Sequence, residues 1–373
     1  MTPYRRCSRC VMDTTDPNIS FDENGFCNHC NSYFSSESKF VVKGDEGKKK
    51  LKDIIEQIKE SRKSKDYDCM LGVSGGTDSS YVAFLAWKNG LRVLLTHLDN
   101  GWDTTVSEKN IEAIVNKTGF DIIKEKADLN EFHDLQIAFL KASVVDIEML
   151  TDHALAAWVY KLAAKKQIKY ILSGTNFVTE SIMPRAWGHQ KNDLTNLKAI
   201  HKKFGKVKLR TFPTMSLFER VSYRLFKGIY FVSPLNYVDY NKEEAKKILK
   251  QEFGWEDYGG KHYESIFTKF YQSYILPRKF GIDKRKAHLS TLICSGQISR
   301  EQALKELEKP PYTEEEIAHD KQYVLNKLEL SEEEFEQFIN LPIKKHSDYK
   351  SDEWVYEWLR RLEKVYRFFG GTR

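Results

Sequence analysis

Short apolar segments alternate with longer amphipathic ones through the middle of the chain, and this alternation limits the possible folds more than any other feature. The apolar segments, which predict β-strands, are residues 67–73, 92–98, 121–126, 169–172 and 229–233. The segments that predict helices are residues 78–88, 104–118, 130–142 and 148–165. Because strands that alternate with helices form a parallel sheet covered on both faces, we expect a doubly wound α/β domain.

The segments on either side of this region have different patterns. Residues 1–47 are turn-rich and then polar, which predicts a small cysteine-bearing segment and a linker over residues 32–47. The α/β domain is expected to span residues 48–240, starting with an amphipathic helix over residues 48–64. Residues 241–373 have a helical pattern and predict a helical C-terminal region that binds substrate or a partner.

Four of the six cysteines form two CxxC pairs near the start of the chain. Cys7 and Cys10 make the first pair, and Cys27 and Cys30 make the second. Two such turns can direct four thiolates at one ion, which is the tetrahedral shell that Zn²⁺ prefers. We therefore expect a structural, zinc-ribbon-like site that folds a segment too small to form its own core. An iron–sulfur cluster is the main alternative.

The sequence LGVSGGTDSS, residues 71–80, predicts a phosphate-binding loop between a buried strand and a helix. Gly75 and Gly76 permit a tight turn and a close approach by a phosphate. The helix N-terminus and the hydroxyls of Ser74, Ser79 and Ser80 supply donors to the anion. The loop has no lysine at the position that defines a Walker-A motif, so it belongs to another class of nucleotide site.

Asp78 lies inside this predicted anion site. A carboxylate would repel phosphate unless a cation lay between the two, so Asp78 predicts Mg²⁺ bound to a pyrophosphate. The alternative is that Asp78 caps the helix that follows.

A second glycine loop, Ser173-Gly174-Thr175-Asn176, follows the strand at residues 169–172. Ligands of doubly wound sheets bind at the carboxyl ends of the strands, at the topological switch point. We therefore predict that Gly174 and Thr175 face the first loop across one bound nucleotide. His97, at the end of the second strand, is expected to contact the adenine or ribose, or else to be an ordinary strand end.

The net charge of +6 is modest, and it fits an anionic substrate such as a nucleotide sugar as well as a nucleic acid. No apolar run approaches the ~20 residues that cross a bilayer, and no apolar stretch follows the charged start of the chain. We expect a cytoplasmic protein that does not enter a membrane.

SGGTDSS resembles the loop of the PP-loop ATP pyrophosphatases, whose fold is adenine nucleotide alpha hydrolase-like and which cleave ATP to AMP and pyrophosphate. More narrowly, residues 1–310 resemble the N-acetyl sugar amidotransferases, which make amidino sugars for lipopolysaccharide O-antigen or flagellin glycosylation. The segments that carry this resemblance are RRCSRCVMDTTDPNISFDENGFCNHC, LGVSGGTDSSYVAFLA, SGTNFVTESIMPRAWG and GGKHYESIFTKFYQSYILPRKFGIDKRKAHLSTLICSGQISREQAL.

The resemblance implies a two-step ligase reaction. The acetamido oxygen of a nucleotide sugar or nonulosonic acid is adenylylated by ATP, and ammonia then displaces AMP to leave an acetamidino group. Neither Cys69 nor Cys294 has the surroundings of a glutaminase nucleophile, so ammonia is expected from a separate glutaminase and a cyclase-like subunit similar to those of histidine biosynthesis. The basic and aromatic residues 204–227 are one candidate docking face, or else a solvated surface.

The resemblance also implies that charged residues in the C-terminal region form part of a substrate site. Lys284 and Arg285 join Asp78 as the expected catalytic residues, because they are suited to a phosphate or sugar carboxylate. Asp152 and His153 are weaker candidates for the crevice, since a buried core histidine is common. The expected sugar-pocket residues are Glu180, Arg185, Trp187, His262, Glu264 and Asp283.

Two other functions remain open at this stage. A tRNA thiolase of the PP-loop type also joins cysteine knuckles to such a domain. Such an enzyme usually needs further reactive cysteines, so nucleic acid is an unlikely partner. Asparagine or argininosuccinate synthesis is a weaker possibility with the same chemistry. A non-catalytic, zinc-stapled nucleotide-binding module is the third hypothesis, although passive binding does not need Asp78 in the loop.

Overall fold

The computed structural model describes residues 3–61, 66–261 and 263–358. Its strands form one parallel sheet in the order β3-β2-β1-β4-β5. The strands are β1 (Cys69–Gly72), β2 (Val93–Asp99), β3 (Asp121–Lys126), β4 (Tyr170–Leu172) and β5 (Tyr230–Val232). The predicted doubly wound parallel sheet is confirmed, with each strand inside or within one residue of its predicted segment.

Helices surround this sheet and continue beyond it. Up to the last strand they are α1 (Asn28–Phe40), α2 (Gly44–Glu60), α3 (Thr77–Lys88), α4 (Thr105–Thr118), α5 (Leu129–Ala142), α6 (Met149–Lys165), α7 (Phe177–Glu180), α8 (Leu194–Phe204) and α9 (Leu217–Leu225). After it come α10 (Lys242–Phe253), α11 (Ile266–Phe270), a π-helical continuation (Tyr271–Phe280), α12 (Arg285–Cys294), α13 (Arg300–Glu308), α14 (Glu314–Lys327) and α15 (Glu332–Asn340). The predicted helical C-terminal region is thereby confirmed.

Alternating side chains of the strands enter separate cores on the two faces of the sheet. Leu71 and Leu95 pack with α2, α3, α4 and α10 on one face. Met70 and Leu94 pack with α6 on the other face. This alternation is the reason that the central strands are apolar throughout rather than on one side only.

The predicted linker over residues 32–47 is wrong, because most of it is helical. Helix α1 begins directly after Cys27, whose sulfur accepts the N–H of Cys30, and α2 begins at Gly44. Tyr33 is buried, and its ring lies 4.9 Å from that of Phe177. The polar composition of this segment reflects the exposed side of α1, while one side packs against the body of the protein.

The chain returns to the centre of the sheet between β3 and β4, and this creates the switch point. The strands β2 and β3 extend the sheet on one side of β1, whereas β4 and β5 extend it on the other side. The loops that follow β1 and β4 therefore lead away in opposite directions and leave a crevice at the carboxyl edge of the sheet.

The first helix of the C-terminal region covers the sheet domain, since Phe253 of α10 packs against Phe84 of α3 with ring centroids 6.2 Å apart. The later helices share a third core with α5, in which Phe132, Phe270 and Phe335 are buried. Within the described ranges, none of the helices has the length and apolar character needed to cross a membrane.

Candidate active site and metal centre

The two CxxC pairs converge at one buried point. The sulfurs of Cys7, Cys10, Cys27 and Cys30 all lie within 4.8 Å of one another. Two of their separations are 3.9 Å, from Cys7 to Cys30, and 3.7 Å, from Cys10 to Cys27. A tetrahedral zinc ion with Zn–S bonds of about 2.3 Å sets its ligands about 3.8 Å apart. The donor set and its spacing therefore fit zinc.

The cysteine cluster is held against the C-terminal region of the chain. The ammonium of Lys286 lies 2.6 Å from the buried carboxylate of Asp13, and the guanidinium of Arg300 donates to the carbonyls of Cys7 and Cys10. The sulfur of Cys294 lies 3.7 Å from that of Cys30. These contacts join the N-terminal segment to α12 and α13.

The loop after β1 is shaped around Gly75. Its backbone has φ of +73°, and a Cβ at this position would lie 2.4 Å from the carbonyl oxygen of Ser107 in α4. The Gly75 carbonyl accepts hydrogen bonds from the Trp255 indole, at 2.9 Å, and from the Asn110 amide, at 3.2 Å. These contacts fix the loop, so that the N-terminus of α3 opens toward the crevice.

The loop after β4 meets this first loop directly. A Cβ at Gly174 would lie 2.8 Å from the backbone nitrogen of Ser79, so only glycine permits this approach. The hydroxyl of Thr175 lies 2.9 Å from that of Ser173. The two glycine loops expected from the sequence therefore come together at one edge of the sheet.

Asp78 lies where the two loops meet. The hydroxyl of Tyr240 donates to its carboxylate. Burial raises the pKa of Asp78, and the nearby ammonium groups of Lys242 and Lys261 oppose this rise. A carboxylate whose charge is destabilised by burial is suited to a metal cation, which restores the charged form.

A pocket of about 150 Å³ lies above this loop and combines hydroxyl groups with two lysines. It contains Glu180, whose carboxylate is 3.1 Å from the ammonium of Lys261. Ser80, which the sequence also predicted to bind the phosphate, is buried and does not line the pocket. The residues that line the pocket are Ser74, Gly76, Thr77, Asp78, Ser79, Gly174, Thr175, Glu180, Lys242, Tyr258, Lys261 and Glu264. We call it the phosphate pocket.

A larger cavity of about 520 Å³ adjoins the phosphate pocket. Ser74, Thr175 and Glu264 line both spaces, so the larger cavity opens onto the loop after β1. We call this space the acceptor cavity, and its wall contains Trp187.

His97, near the end of β2, forms part of the wall of the acceptor cavity. Its two ring nitrogens are 2.8 Å from the carbonyl of Val73 and 2.8 Å from the carboxylate of Asp103. Burial opposes protonation, but the Asp103 carboxylate outweighs it and the pKa of His97 is raised. Both nitrogens are thus engaged with the protein, and His97 braces the loop after β1.

Several charged groups lie together in the wall of the acceptor cavity. Lys191 joins Asp146, at 2.8 Å, to Asp152, at 2.9 Å. The ammonium of Lys284 faces the same space, and within the described residues it makes no salt bridge. Burial lowers the pKa of Lys284. Glu148, at the start of α6, completes the group.

The remaining predicted site residues lie in different places. Arg185 lines a neighbouring cavity of about 490 Å³, of which Trp187 is also a wall. Asp283 and Arg285 form a pair at 2.8 Å, and the guanidinium of Arg285 also donates to the carbonyls at the end of α13, so neither residue reaches the acceptor cavity. His262 lies outside the described residues.

Asp152 lines the acceptor cavity, but its neighbour His153 is a core histidine. The Nε2 atom of His153 accepts the N–H of Met215 at 3.1 Å, and its Nδ1 atom lies 3.0 Å from the carbonyl of Lys191. Burial lowers the pKa of His153, which keeps the ring neutral.

Several residues of the site were not singled out from the sequence. Lys242 and Lys261 line the phosphate pocket, while Asp146, Glu148 and Lys191 line the acceptor cavity. Lys261 stands in the segment GGKHYES, which carries part of the resemblance, so a signal for it existed. The other four residues have no motif around them that would have identified them.

The C-terminal part of the chain matches a known family. A family model described as the C-terminal domain of WbpG-like LPS biosynthesis proteins matches residues 264–363, about a quarter of the chain. The matched segment includes Glu264, Thr268 and Lys284 of the acceptor cavity. No curated protein matches the chain.

Solved structures that resemble this one do so weakly. They include an NH3-dependent NAD synthetase from Campylobacter jejuni, with 18% identity over 35% of this chain and 56% of that one and a TM-score of 0.29. A predicted subunit of tRNA methyltransferase from Methanocaldococcus jannaschii has 17% identity, coverages of 49% and 73% and a TM-score of 0.29. NMN synthetase from Francisella tularensis has 14% identity, coverages of 57% and 87% and a TM-score of 0.27. The first match spans little more than half of the Campylobacter chain, and these similarities carry no argument about function.

Proposed function

We propose that this protein is an ATP-dependent amidotransferase that converts an acetamido group of a nucleotide sugar or nonulosonic acid into an acetamidino group. The observation that carries the proposal is the shared wall of the two spaces, in which Ser74, Thr175 and Glu264 line both the phosphate pocket and the acceptor cavity. A nucleotide phosphate and an acceptor would meet at that wall. The match of residues 264–363 to an LPS biosynthesis domain supports a sugar as the acceptor.

The phosphate pocket would hold the triphosphate of ATP. Lys242 and Lys261 supply positive charge, and the N-terminus of α3 supplies backbone donors. Asp78 and Glu180 are oxygen donors of the kind that hold Mg²⁺. When bound, Mg²⁺ would neutralise the charge that develops on the departing pyrophosphate.

The proposed reaction has two steps. The acetamido oxygen attacks the α-phosphate of ATP, the bond to the β-phosphate oxygen breaks, and pyrophosphate leaves. Ammonia then attacks the activated carbon, and the carbon–oxygen bond breaks as AMP leaves with its electron pair. The first step is needed because an amide oxygen is a poor leaving group, and adenylylation converts that oxygen into part of AMP.

The acceptor cavity, whose wall also carries five carboxylates, offers one lysine to an anionic sugar. The ammonium of Lys284 faces the cavity and lacks a salt bridge within the described part of the chain, so it is available to a carboxylate or phosphate of the acceptor. Trp187 is almost fully buried in the wall that the acceptor cavity shares with the neighbouring cavity, and its indole N–H has no partner among the described residues. These two side chains are our candidates for recognition of the acceptor.

Ammonia would come from a separate glutaminase, because the cysteines of this chain are unsuited to glutamine hydrolysis. Cys69 lies inside β1, where burial raises the pKa of its thiol, and Cys294 lies against the cysteine cluster. The candidate docking face is α9 with its flanks. Phe218, Leu225 and Phe226 are exposed there by 79%, 68% and 80%, beside Arg220 and Arg224.

Removal of one exposed ring tests this docking face. Phe226→Asp should abolish amidation that depends on glutamine and the partner, because it places a charge in the apolar contact. Amidation driven by ammonium chloride should be unchanged. Equal loss with both nitrogen sources would reject α9 as the docking face.

The cysteine cluster would hold a structural zinc ion. All four of its ligands come from the protein, so no coordination position is left for substrate. Metal analysis of the purified protein should give one zinc per chain, whereas iron with acid-labile sulfide would indicate a cluster instead.

The first half-reaction provides the test of the proposed function. With Mg-ATP and labelled pyrophosphate, exchange of label into ATP should require an acceptor sugar with an acetamido group. A panel of UDP-linked diacetamido sugars and nonulosonic acids would identify the class. Exchange that instead requires unmodified tRNA would favour a thiolase, and ATP binding without exchange under any condition would favour a non-catalytic module.

A further inference from the structure

The carboxylates of Asp146, Glu148 and Asp152 lie together in the wall of the acceptor cavity, and Glu148 differs from the other two. Asp146 accepts from Lys191 and from the backbone N–H of His189, at 2.8 and 2.7 Å. Asp152 is paired with Lys191 at 2.9 Å. Both aspartates thus pair with Lys191 and hold this part of the cavity wall together.

Glu148 keeps one carboxylate oxygen free. Its Oε2 atom accepts the hydroxyl of Thr268 at 2.8 Å, whereas its Oε1 atom has no hydrogen-bond partner among the described residues. The side chain is only 8% exposed, and it forms part of the cavity wall. A buried oxygen without a partner is costly, so its persistence at a cavity wall indicates that a ligand completes it.

The surroundings of Glu148 determine which ligand is suitable. The nearby charges are the carboxylates of Asp146 and Asp152 and the ammonium groups of Lys191 and Lys284. Lys191 is already shared by the two aspartates, and Lys284 makes no salt bridge within the described ranges. Oε1 of Glu148 is therefore suited to accept a hydrogen bond from a small donor that enters through the acceptor cavity.

We propose that Oε1 of Glu148 binds the ammonium ion that supplies the nitrogen and takes one proton from it as ammonia attacks the activated acceptor. This inference rests on the proposed function and adds a site for the second substrate. Thr268 is the positioning residue, because its hydroxyl holds Oε2, which leaves Oε1 as the carboxylate oxygen that has no hydrogen-bond partner among the described residues.

The proton inventory of the step balances. Ammonium gives one proton to Glu148, and the nitrogen lone pair then forms the bond to the activated carbon. The carbon–oxygen bond breaks and its electron pair leaves with the AMP dianion. One ammonia proton passes to the sugar nitrogen, so that the product is an amidinium cation, and the proton on Glu148 passes to solvent.

The electrostatics of the cavity support this role. Burial is the main cause that raises the pKa of Glu148, to about 7, and the charge of Asp152 adds to it. The salt bridge and hydrogen bonds of Asp146 hold its pKa at about 2 despite its burial. A base with a pKa near the working pH is far better at accepting a proton than an ordinary carboxylate. Glu148 thus combines an oxygen without a protein partner among the described residues with a raised pKa.

The test is Glu148→Gln, which preserves the shape of the side chain and its bond from Thr268. Adenylylation does not use ammonia, so acceptor-dependent exchange of pyrophosphate into ATP should be retained. Amidation with ammonium chloride at pH 7 should fall by about a hundredfold or more, with a raised KM for ammonium. The remaining rate should rise with pH in proportion to free ammonia, whereas the wild-type rate should depend on pH much less.

Glu131→Gln is the matched control, because it removes another buried carboxylate that does not line the acceptor cavity. Glu131 accepts the backbone N–H groups of Arg210, Thr211 and Phe212, so its loss should affect stability and leave the KM for ammonium unchanged. Equal loss of exchange and amidation in Glu148→Gln would assign Glu148 to the acceptor or to the fold and overturn the proposal. Unchanged amidation would overturn it as well. Absence of acceptor-dependent exchange in the wild type would instead refute the proposed function.

Discussion

Replacement of Glu148 by glutamine should stabilise the protein at neutral and alkaline pH. Burial raises the pKa of Glu148 from 4.5 to about 7, which means that the folded protein disfavours the charged carboxylate. Each pKa unit corresponds to about 1.4 kcal/mol, so the ionised side chain costs on the order of 3 kcal/mol of folding free energy. A glutamine side chain would occupy the same space without that charge.

The pH dependence gives this effect a definite sign. Because the folded-state pKa lies above the unfolded value, the folded protein binds more protons between pH 4.5 and about 7, and its stability falls as pH rises through that window. The advantage of Glu148→Gln should thus be small below pH 4.5, grow up to about pH 7 and stay constant above it.

Thermal melting of both proteins from pH 5 to pH 8 measures this difference. At about 2–4 °C for each kcal/mol, the variant should melt several degrees higher at pH 8 and close to the wild type at pH 5. The control Glu131→Gln should melt lower at every pH, because it weakens bonds to three backbone N–H groups. A Glu148→Gln variant that is less stable than the wild type at pH 8 would refute the reasoning about its burial.

Three further predictions follow from the loop, the phosphate pocket and the metal centre. Gly75→Ala should abolish ATP binding in a calorimetric titration, because it adds about 1–2 kcal/mol of backbone strain and a clash with α4. Gly119 has φ of +68° and open space around it, so the control Gly119→Ala should lose only about 1 kcal/mol of stability and keep ATP binding. Equal effects of the two substitutions on ATP binding would contradict the importance of the close contact at Gly75. Lys242→Ala should slow pyrophosphate exchange by about a hundredfold while the protein still melts cooperatively, and an unchanged rate would exclude this lysine from the phosphate site. Cys27→Ser should lower the zinc content and the melting temperature together, and full zinc occupancy in the variant would exclude Cys27 as a ligand.

The sheet and its two loops could be predicted from the sequence because local patterns determine them. Apolar segments of strand length gave the order of strands and helices, and the rule for strand ends brought Asp78 and Gly174 to one edge. The cysteine pairs were equally local. The helix α1 was missed, because its polar side dominates the composition and only a few residues, chiefly Cys30, Tyr33 and Phe40, pack against the body of the protein.

The charged residues of the site could be predicted only in part, since their roles depend on tertiary contacts. Successive residues at a helix start point about 100° apart, so the sequence could not distinguish Lys284, which faces the acceptor cavity, from Arg285, which pairs with Asp283. Glu148 and Lys242 have no neighbouring motif. Their place in the site results from the packing of α6 and α10 against the sheet domain.

Incorporation of isotopically labelled ammonium into the acceptor tests directly whether the protein converts an acetamido group into an acetamidino group. The wild-type protein is incubated with Mg-ATP, labelled ammonium chloride and the acceptor sugar that supports pyrophosphate exchange, and the product is examined by mass spectrometry. We expect an acceptor in which one labelled nitrogen has replaced the acetamido oxygen, together with equal amounts of AMP and pyrophosphate. Formation of AMP and pyrophosphate with an acceptor that contains no labelled nitrogen would contradict the proposal.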